Sequence, residues 1–500
     1  MRRALTAPAV ETGGRAAVSL LVAGLGGLLA VRLVALAFNG TDLFFDEAQY
    51  WTWSREPAFG YYSKPPLVAA LIGAAGAVCG DGTFCVRVAS PILHTLTAGL
   101  VFLIGRRLYD ERVGLWAALS FATLPGIALS AGIISTDVPL LTAWALALLG
   151  LVGLVQQRDG WAPAVALGLG LGLGLNAKYA MAFFPLSLAV WLIASPSERP
   201  LLRDPRLWAA LVLGFLFIVP NLAWNAANKF ATFAHTADNA KWSGSLLKPG
   251  RAVEFLAAQL AVFGPILFGA LVMALHRGWR LGLAPADRML TWFTVPVLAV
   301  ITAQAFVSRA HANWAATAYV AASILVPATL LRLGLERWLK ASLGLHLVVM
   351  TLLVAGTTMA GRFVLPLAGD PFQRTLGWSD LGARTRAVLD EARTAGTPYS
   401  AVIADERAVT AALLYYLRGE ATPIKAWLSG PRPLDHYEMT RPFKAVAGGP
   451  VLLVSVRQDE ERITEHFRRV SEVREEDVPA GLGKPRHVRF IKLEGYRGAE

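Results

Sequence analysis

The chain has 500 residues, 55% of them hydrophobic and only 16% charged, with a mean hydropathy of +0.48. That balance excludes an ordinary soluble globular protein and describes a chain whose solvent is largely lipid. The 47 Lys and Arg against 35 Asp and Glu give a net charge of +12. In a membrane protein, basic residues kept in cytoplasmic loops account for such an excess, and no nucleic-acid partner is expected.

Residues 1–15, with Arg2, Arg3 and Arg15, read as a cytoplasmic N-terminus leading into a retained first helix rather than a cleaved signal. Apolar stretches of about 20 residues can each cross the hydrocarbon core as a helix. They fall at 16–38, 88–105, 113–132, 136–155, 161–178, 180–195, 206–226, 252–275, 289–307, 312–331 and 341–363. The N-terminal arginines, Arg106, Arg107, Arg112, Arg158, Arg199, Arg203, Arg206, Arg277, Arg280, Arg288, Arg332, Arg337 and Lys340 occupy alternate connections. This is the positive-inside pattern of a chain that starts inside, crosses eleven times and ends outside. The apolar piece 65–79 opens on Pro65-Pro66 and, as a crossing, would invert every later charge assignment. It is read as a re-entrant or interfacial helix in the first external loop.

After about residue 370 apolar segments shorten and charges rise. A helix over 379–395, a strand S-A-V-I-A, a helix over 407–418, a strand over 451–456, a helix over 458–468 and a strand over 487–493 predict a small α/β domain. The expected fold is thus an α-helical polytopic membrane protein: a transmembrane domain over 16–365 and a soluble α/β domain over 370–500 outside the membrane. The run G-L-G-L-G-L-G-L (168–175) lies inside an apolar span with no strand before it, so it predicts close helix packing rather than phosphate binding. Cys79 and Cys85 can pair if both face an oxidising compartment, or stand as two free thiols.

The candidate chemistry gathers on the outer side. The first external loop carries the acidic pair Asp46 and Glu47 among Phe44, Phe45, Tyr50, Trp51, Trp53, Tyr61 and Tyr62. Ionisable groups at the membrane edge are costly and so are candidates for function. Adjacent side chains point in different directions, so one carboxylate can act as general base while the other braces the loop; an acidic pair in the first turn of a helix is the plainer account. Lys64, in G-Y-Y-S-K-P-P-L, could stabilise a departing phosphate or reach toward lipid headgroups, with Tyr61 and Tyr62 packing on a sugar or isoprenoid. Arg87 is a second phosphate candidate or an interface anchor. Asp137, in S-T-D-V-P-L, is a catalytic candidate or a helix cap. Lys178 sits in a short outer turn, and the Asn-rich loop 220–242 contains His235 as a sugar-binding candidate. S-R-A-H-A-N-W (308–314) adds Arg309 and His311 at the outer mouth. No H-E-x-x-H, P-loop or G-x-S-x-G occurs, against protease, ATP-driven and serine-hydrolase readings.

D-E-A-Q-Y-W, G-Y-Y-S-K-P-P-L, S-T-D-V-P-L and H-A-N-W-A-A-T-A-Y together resemble the bacterial polyprenyl-phosphate-sugar glycosyltransferases of the GT-C class, over roughly residues 20–330. These are relatives of protein O-mannosyltransferases and of the lipid A aminoarabinose transferase. The resemblance implies a bacterial inner-membrane enzyme with an outward, periplasmic active site and C-terminal domain. Its donor would be a polyprenyl-phosphate sugar, hexosyl or pentosyl, attacked at C1 with inversion by a hydroxyl of lipid A, lipopolysaccharide or another glycan. Asp46 matches the catalytic aspartate, Glu47 its acidic neighbour, Lys64 a lysine near the lipid phosphate, Arg87 a phosphate-facing arginine and Asp137 a second acidic position. No cofactor is required; the acidic residues leave room for a divalent metal, with no ligand spacing that demands one. The C-terminal domain departs from the β-trefoil of eukaryotic mannosyltransferases, which weakens a protein acceptor. The rival readings are a lipid-linked-sugar flippase or transporter, for which internal repeats and mid-membrane charges are wanting, and a non-catalytic anchor for the C-terminal domain.

Overall fold

The computed structural model describes residues 14–157, 159–240, 247–366, 369–444, 449–457 and 459–498; Arg2, Arg3, Arg158 and most of the expected cytoplasmic N-terminus 1–15 lie outside them. In chain order the helices are α1 (Gly14–Ala37), α2 (Phe45–Arg55), α3 (Leu67–Cys79), α4 (Thr83–Arg87), α5 (Ala89–Leu108), α6 (Glu111–Thr123), α7 (Pro125–Ser130), α8 (Asp137–Val155), α9 (Ala162–Ala177), α10 (Phe183–Ala194), α11 (Pro205–Ala227) and α12 (Ala231–Ala240). They continue as α13 (Pro249–Val262), α14 (Pro265–Leu281), α15 (Pro285–Trp292), α16 (Val295–Val307), α17 (Ala318–Arg332) and α18 (Glu336–Thr358). Proline opens α7, α11, α13, α14 and α15, where its missing N–H is one the helix leaves unpaired in any case.

The chain forms two compact units. The first holds the chain through Ala37, Lys64–Val68 and Arg87–Val354. Among the described residues, six helical stretches are long and apolar enough to cross a membrane: Ala17–Ala37, Thr83–Leu108, Asp137–Val155, Pro205–Ala227, Pro285–Val307 and Glu336–Thr358. Burial separates their roles: 83% of the α8 window is buried against 22% of the α1 window, so α8 is the central helix and α1 offers its side chains outward. Trp144 of α8 packs edge-on to Phe184 at 5.1 Å, and Phe184 meets Phe293 at 4.9 Å. The glycine run of α9 lets three helices close up. A Cβ at Gly170 would lie 2.5 Å from Ala147 N on α8, and one at Gly172 would lie 2.5 Å from Phe217 Cβ on α11.

Three sequence expectations need correction in this unit. The span 252–275 is two helices, α13 and α14, bent by 114°; the chain turns at Gly264, whose φ of +83° a glycine adopts without strain. The span 113–132 breaks at Leu124, between α6 and α7, where Pro125 cannot continue the preceding helix. The loop 220–242 is largely helical: α11 runs to Ala227 and α12 follows, with 241–242 outside the described residues.

The second unit comprises Phe38–Ser63, Ala69–Val86 and the chain from Ala355 on. Its sheet has the order β2-β1-β3-β5-β4, built from β1 (Ala401–Ala404), β2 (Ile424–Ala426), β3 (Val451–Ser455), β4 (Phe467–Val478) and β5 (Arg486–Tyr496). β2, β1 and β3 are parallel, and β5 and β4 add antiparallel. Val402, Ala404, Leu452 and Val454 face α19 (Trp378–Thr394) and α20 (Arg407–Tyr416); Ala401, Ile403 and Leu453 face Phe443, Ile463 and Phe467. Burial on both faces explains the unbroken apolar run V-L-L-V. Two short helices, α21 (His436–Thr440) and α22 (Glu461–Thr464), complete the unit. The expected helix 458–468 shrinks to α22, and β4 takes over at Phe467. F-R-R-V-S-E-V-R-E-E-D-V is exposed at most positions, so it lacks the apolar alternation that marks a half-buried strand, and its charges suit an edge. Cys79 and Cys85 are joined by a disulfide. The first external loop packs within this unit, Trp51 meeting Tyr415 edge-on at 5.0 Å and Tyr415 donating to Asp81 O at 2.7 Å.

Candidate active site

Asp46 and Glu47 open α2, and the structure separates their work. Glu47 is buried, and its Oε2 accepts the Phe44 backbone N–H at 3.0 Å, closing the first turn of the helix. Asp46 is partly exposed. Its Oδ1 accepts from Arg407 Nη1 at 2.8 Å, and its Oδ2 has no partner among the described residues. The same Arg407 Nη1 donates to Gln49 Oε1 at 2.8 Å, one turn further along α2, while the guanidinium lies 4.9 Å over the Phe45 ring. A carboxylate held by one oxygen, with the other open, is the geometry of a positioned base.

The aromatics around the pair are mostly structural. Tyr61 stacks on Trp53, ring centroids 4.5 Å apart and planes 2° apart, and its hydroxyl donates to Trp53 O at 2.8 Å. Burial pushes that phenol up to about 12, with the Ala58 N–H opposing and Glu56 adding to the shift. Tyr62 donates to Pro433 O at 3.0 Å. Neither hydroxyl is where a sugar would use it. His436 closes the same box edge-on to Trp53 at 5.3 Å; burial, then the charge of Arg441, holds its imidazole down at about 3.

In the first unit Asp137 does not cap its own helix. Thr136 occupies the cap position, and the carboxylate oxygens are taken up by Lys178 Nζ at 2.7 Å and Asn313 Nδ2 at 2.6 Å. Three segments thereby meet: the start of α8, the end of α9 and the 3-10 turn Ala312–Ala315. The polar seam continues through Tyr179, whose hydroxyl donates to Asn221 Oδ1 at 2.7 Å and accepts from Asn225 Nδ2 at 3.2 Å. Asn221 and Asn225 are fully buried on α11. Arg309 and His311 are exposed just before that turn, the His311 ring 5.3 Å from Trp314. Lys64 is half-buried, Arg87 is 1% exposed at the end of α4, and His235 sits half-buried on α12.

Asp137 and Lys178 are therefore brought together, and so are Asp46 and the unforeseen Arg407. Sequence reasoning did not single out Gln49 or Asn313, and took Asn221 and Asn225 only as part of the Asn-rich loop 220–242. Arg407 left one unspecific signal, a cation at a helix start where the dipole favours anions. Among the described residues no group of three or more His, Cys, Asp and Glu could hold a metal ion.

Residues 63–224 match the family described as dolichyl-phosphate-mannose-protein mannosyltransferase. The chain is 35% identical over 430 residues, covering 86% of itself and 89% of the relative, to the lipid A galacturonosyltransferase RgtD of Rhizobium johnstonii. It is 28% identical over 47% of its length to an undecaprenyl phosphate-alpha-4-amino-4-deoxy-L-arabinose arabinosyl transferase of Pseudomonas aeruginosa, 45% of which it covers. The fold matches ArnT from Cupriavidus metallidurans bound to undecaprenyl phosphate, with a TM-score of 0.68 at 14% identity over 97% of this chain and 100% of that one. The likeness to RgtD along most of both chains, on a polytopic helical fold, shows that the chain belongs to the GT-C polyprenyl-phosphate-sugar glycosyltransferases.

Proposed function

We propose that the chain moves a sugar from a polyprenyl-phosphate carrier to a hydroxyl of lipid A, or of a related envelope glycolipid, at the outer face of a bacterial inner membrane. The named activity of the relative matched along most of its length supports lipid A as acceptor and a hexuronic acid as the sugar. The charge pattern supports eleven crossings with the C-terminal domain outside, and the Cys79–Cys85 disulfide suits an oxidising, extracytoplasmic loop.

The observation that carries the reading is Asp46, held through one carboxylate oxygen with the other open. In the proposed step Oδ2 of Asp46 takes the proton of the acceptor hydroxyl. The acceptor oxygen bonds to the anomeric carbon from the face opposite the phosphate, and the bond from that carbon to the phosphate oxygen breaks. The configuration inverts, and polyprenyl phosphate leaves with its electron pair. Lys64 and Arg87 are the cations proposed for the leaving phosphate, as the family resemblance implies. A divalent metal is not needed for this balance.

Asp46→Asn tests it in proteoliposomes supplied with a radiolabelled polyprenyl-phosphate sugar and lipid A. Turnover should fall by about 10²–10⁴-fold, the usual contribution of a general base, at unchanged expression and melting temperature. Near-wild-type turnover would remove Asp46 from the base role. Movement of the lipid-linked sugar across the bilayer without transfer would favour the flippase.

A further inference from the structure

We propose that Arg407, contributed by the C-terminal domain, is a positioning residue that aims Asp46 at the acceptor. The inference rests on Asp46 being the base and adds that this base is incomplete without a residue 361 positions away.

Arg407 is the first residue of α20, directly after β1 and the Asp405-Glu406 pair at the carboxyl end of the parallel strands. A helix N-terminus favours anions, so an arginine there does nothing for its own helix. Breaking a local rule of this kind marks a residue kept for another purpose. The guanidinium is held at two points: its Nη1 donates both to Asp46 Oδ1 and to Gln49 Oε1, each at 2.8 Å, and it lies 4.9 Å over the Phe45 ring. Gln49 is buried, so the nitrogen that holds Asp46 is itself tied to a buried group one turn along α2. Moving that nitrogen away from Asp46 also gives up its bond to Gln49 or the contact with Phe45, so it fixes the position of the Oδ1 it holds. With Oδ1 engaged, Oδ2 is left as the basic oxygen. This is the arrangement of a base oriented by a third group.

Simple attachment of the loop to the domain is a weaker account. α2 and α20 already meet through Trp51 on Tyr415, and Tyr416 accepts the Leu43 N–H at 2.9 Å. A half-exposed ion pair adds little to such packing. Removing Arg407 should therefore leave the unit folded and Asp46 free to swing. A base displaced by about 1 Å costs on the order of a hundredfold in rate.

The test uses the full chain in proteoliposomes with Arg407→Gln, Arg407→Ala and, alongside, Asp46→Asn. Arg407→Gln should lower kcat by roughly ten- to a hundredfold while the KM for the lipid-linked sugar and the melting temperature stay near wild type. Guanidinium ion added to Arg407→Ala should restore part of kcat, because the Arg407 side chain is partly exposed to solvent. An inactive Asp46→Asn beside fully active Arg407 variants would overturn the positioning role and leave the base reading standing. An active Asp46→Asn would sink the base reading itself. A KM effect without a kcat effect, no rescue by guanidinium, or loss of folding in both Arg407 variants would assign Arg407 to binding or attachment and overturn the inference.

Discussion

At the scale of single residues, the buried polar groups divide by whether their partner lies near in sequence. Asp46 stands out in the chain because an acidic pair lies inside an aromatic cluster, where the sequence reading expects a membrane edge and charge is costly. Arg407 does not, since nothing in D-E-R-A-V-T says that its partner is in the first loop. Asp137 reads in the sequence as a catalytic candidate or a helix cap, and only the fold reveals Lys178 and Asn313 on its two oxygens. Breaking a largely buried pair from one side leaves an uncompensated charge. Lys178→Met should therefore cost roughly 3–5 kcal/mol, read as a lowered melting temperature in detergent, and adding Asp137→Asn should recover much of it. A double variant no more stable than Lys178→Met would mean the pair is not coupled. His436 gives a pH dependence. Its neutral ring is buried against Trp53 and Tyr61, and among the described residues neither nitrogen has a hydrogen-bond partner. Its folded value of about 3 lies below the ordinary 6.5, so the unfolded chain takes up the proton first. The contribution is complete above pH 6.5 and drains away as pH falls toward 3, with about 2 kcal/mol gone by pH 5. His436→Phe should flatten the pH 5 to 7 part of the stability profile; an unchanged slope would show that other groups set it.

At the scale of elements, length and hydropathy located apolar helices but neither their continuity nor their length, since six stretches among the described residues are long and apolar enough to cross a membrane. An apolar window averages over a break, so 252–275 looked like one helix although F-G-P at 263–265 carried the signal for a turn. β4 was hidden for the opposite reason, its pattern being written in charges rather than in alternating apolar residues. The glycine run of α9 was readable as packing, and the structure adds which partner each glycine meets. Gly170 faces the backbone of α8, with Ala147 N 2.5 Å and Ala143 O 2.7 Å from where a Cβ would stand. Among the described residues, nothing lies within 4 Å of that point at Gly27, on α1. Gly170→Ala should therefore force α8 and α9 apart at a cost of about 1–3 kcal/mol, whereas Gly27→Ala should be neutral or slightly stabilising. Melting temperatures of the two purified variants separate the cases, and equal shifts would mean the α8–α9 approach is not tight.

At the scale of the whole molecule, composition divides the chain near residue 370, where apolar spans give way to charged segments. Compactness divides it differently: Phe38–Ser63 and Ala69–Val86 belong with the chain from Ala355 on. Composition registers the solvent a segment prefers, not what it packs against, so a first-loop helix that folds on a distant sheet domain leaves no mark in it. Within that unit Trp378 and Ser379 N–H groups donate to Asp42 Oδ2, Tyr62 donates to Pro433 O, and Arg441 pairs with Glu56. A chain ending at residue 365 would keep Lys64, Arg87, Asp137 and Lys178 but lose every one of these partners of the loop. It should insert in the membrane and yet be inactive, with the 38–63 segment cut rapidly by added protease while the full chain resists at the same sites. Supplying residues 366–500 as a separate secreted chain should restore part of the protection, since the contacts are non-covalent side-chain and backbone pairs. A truncated chain that still transfers sugar would mean that the loop carrying Asp46 folds without residues 366–500 and that transfer does not need them.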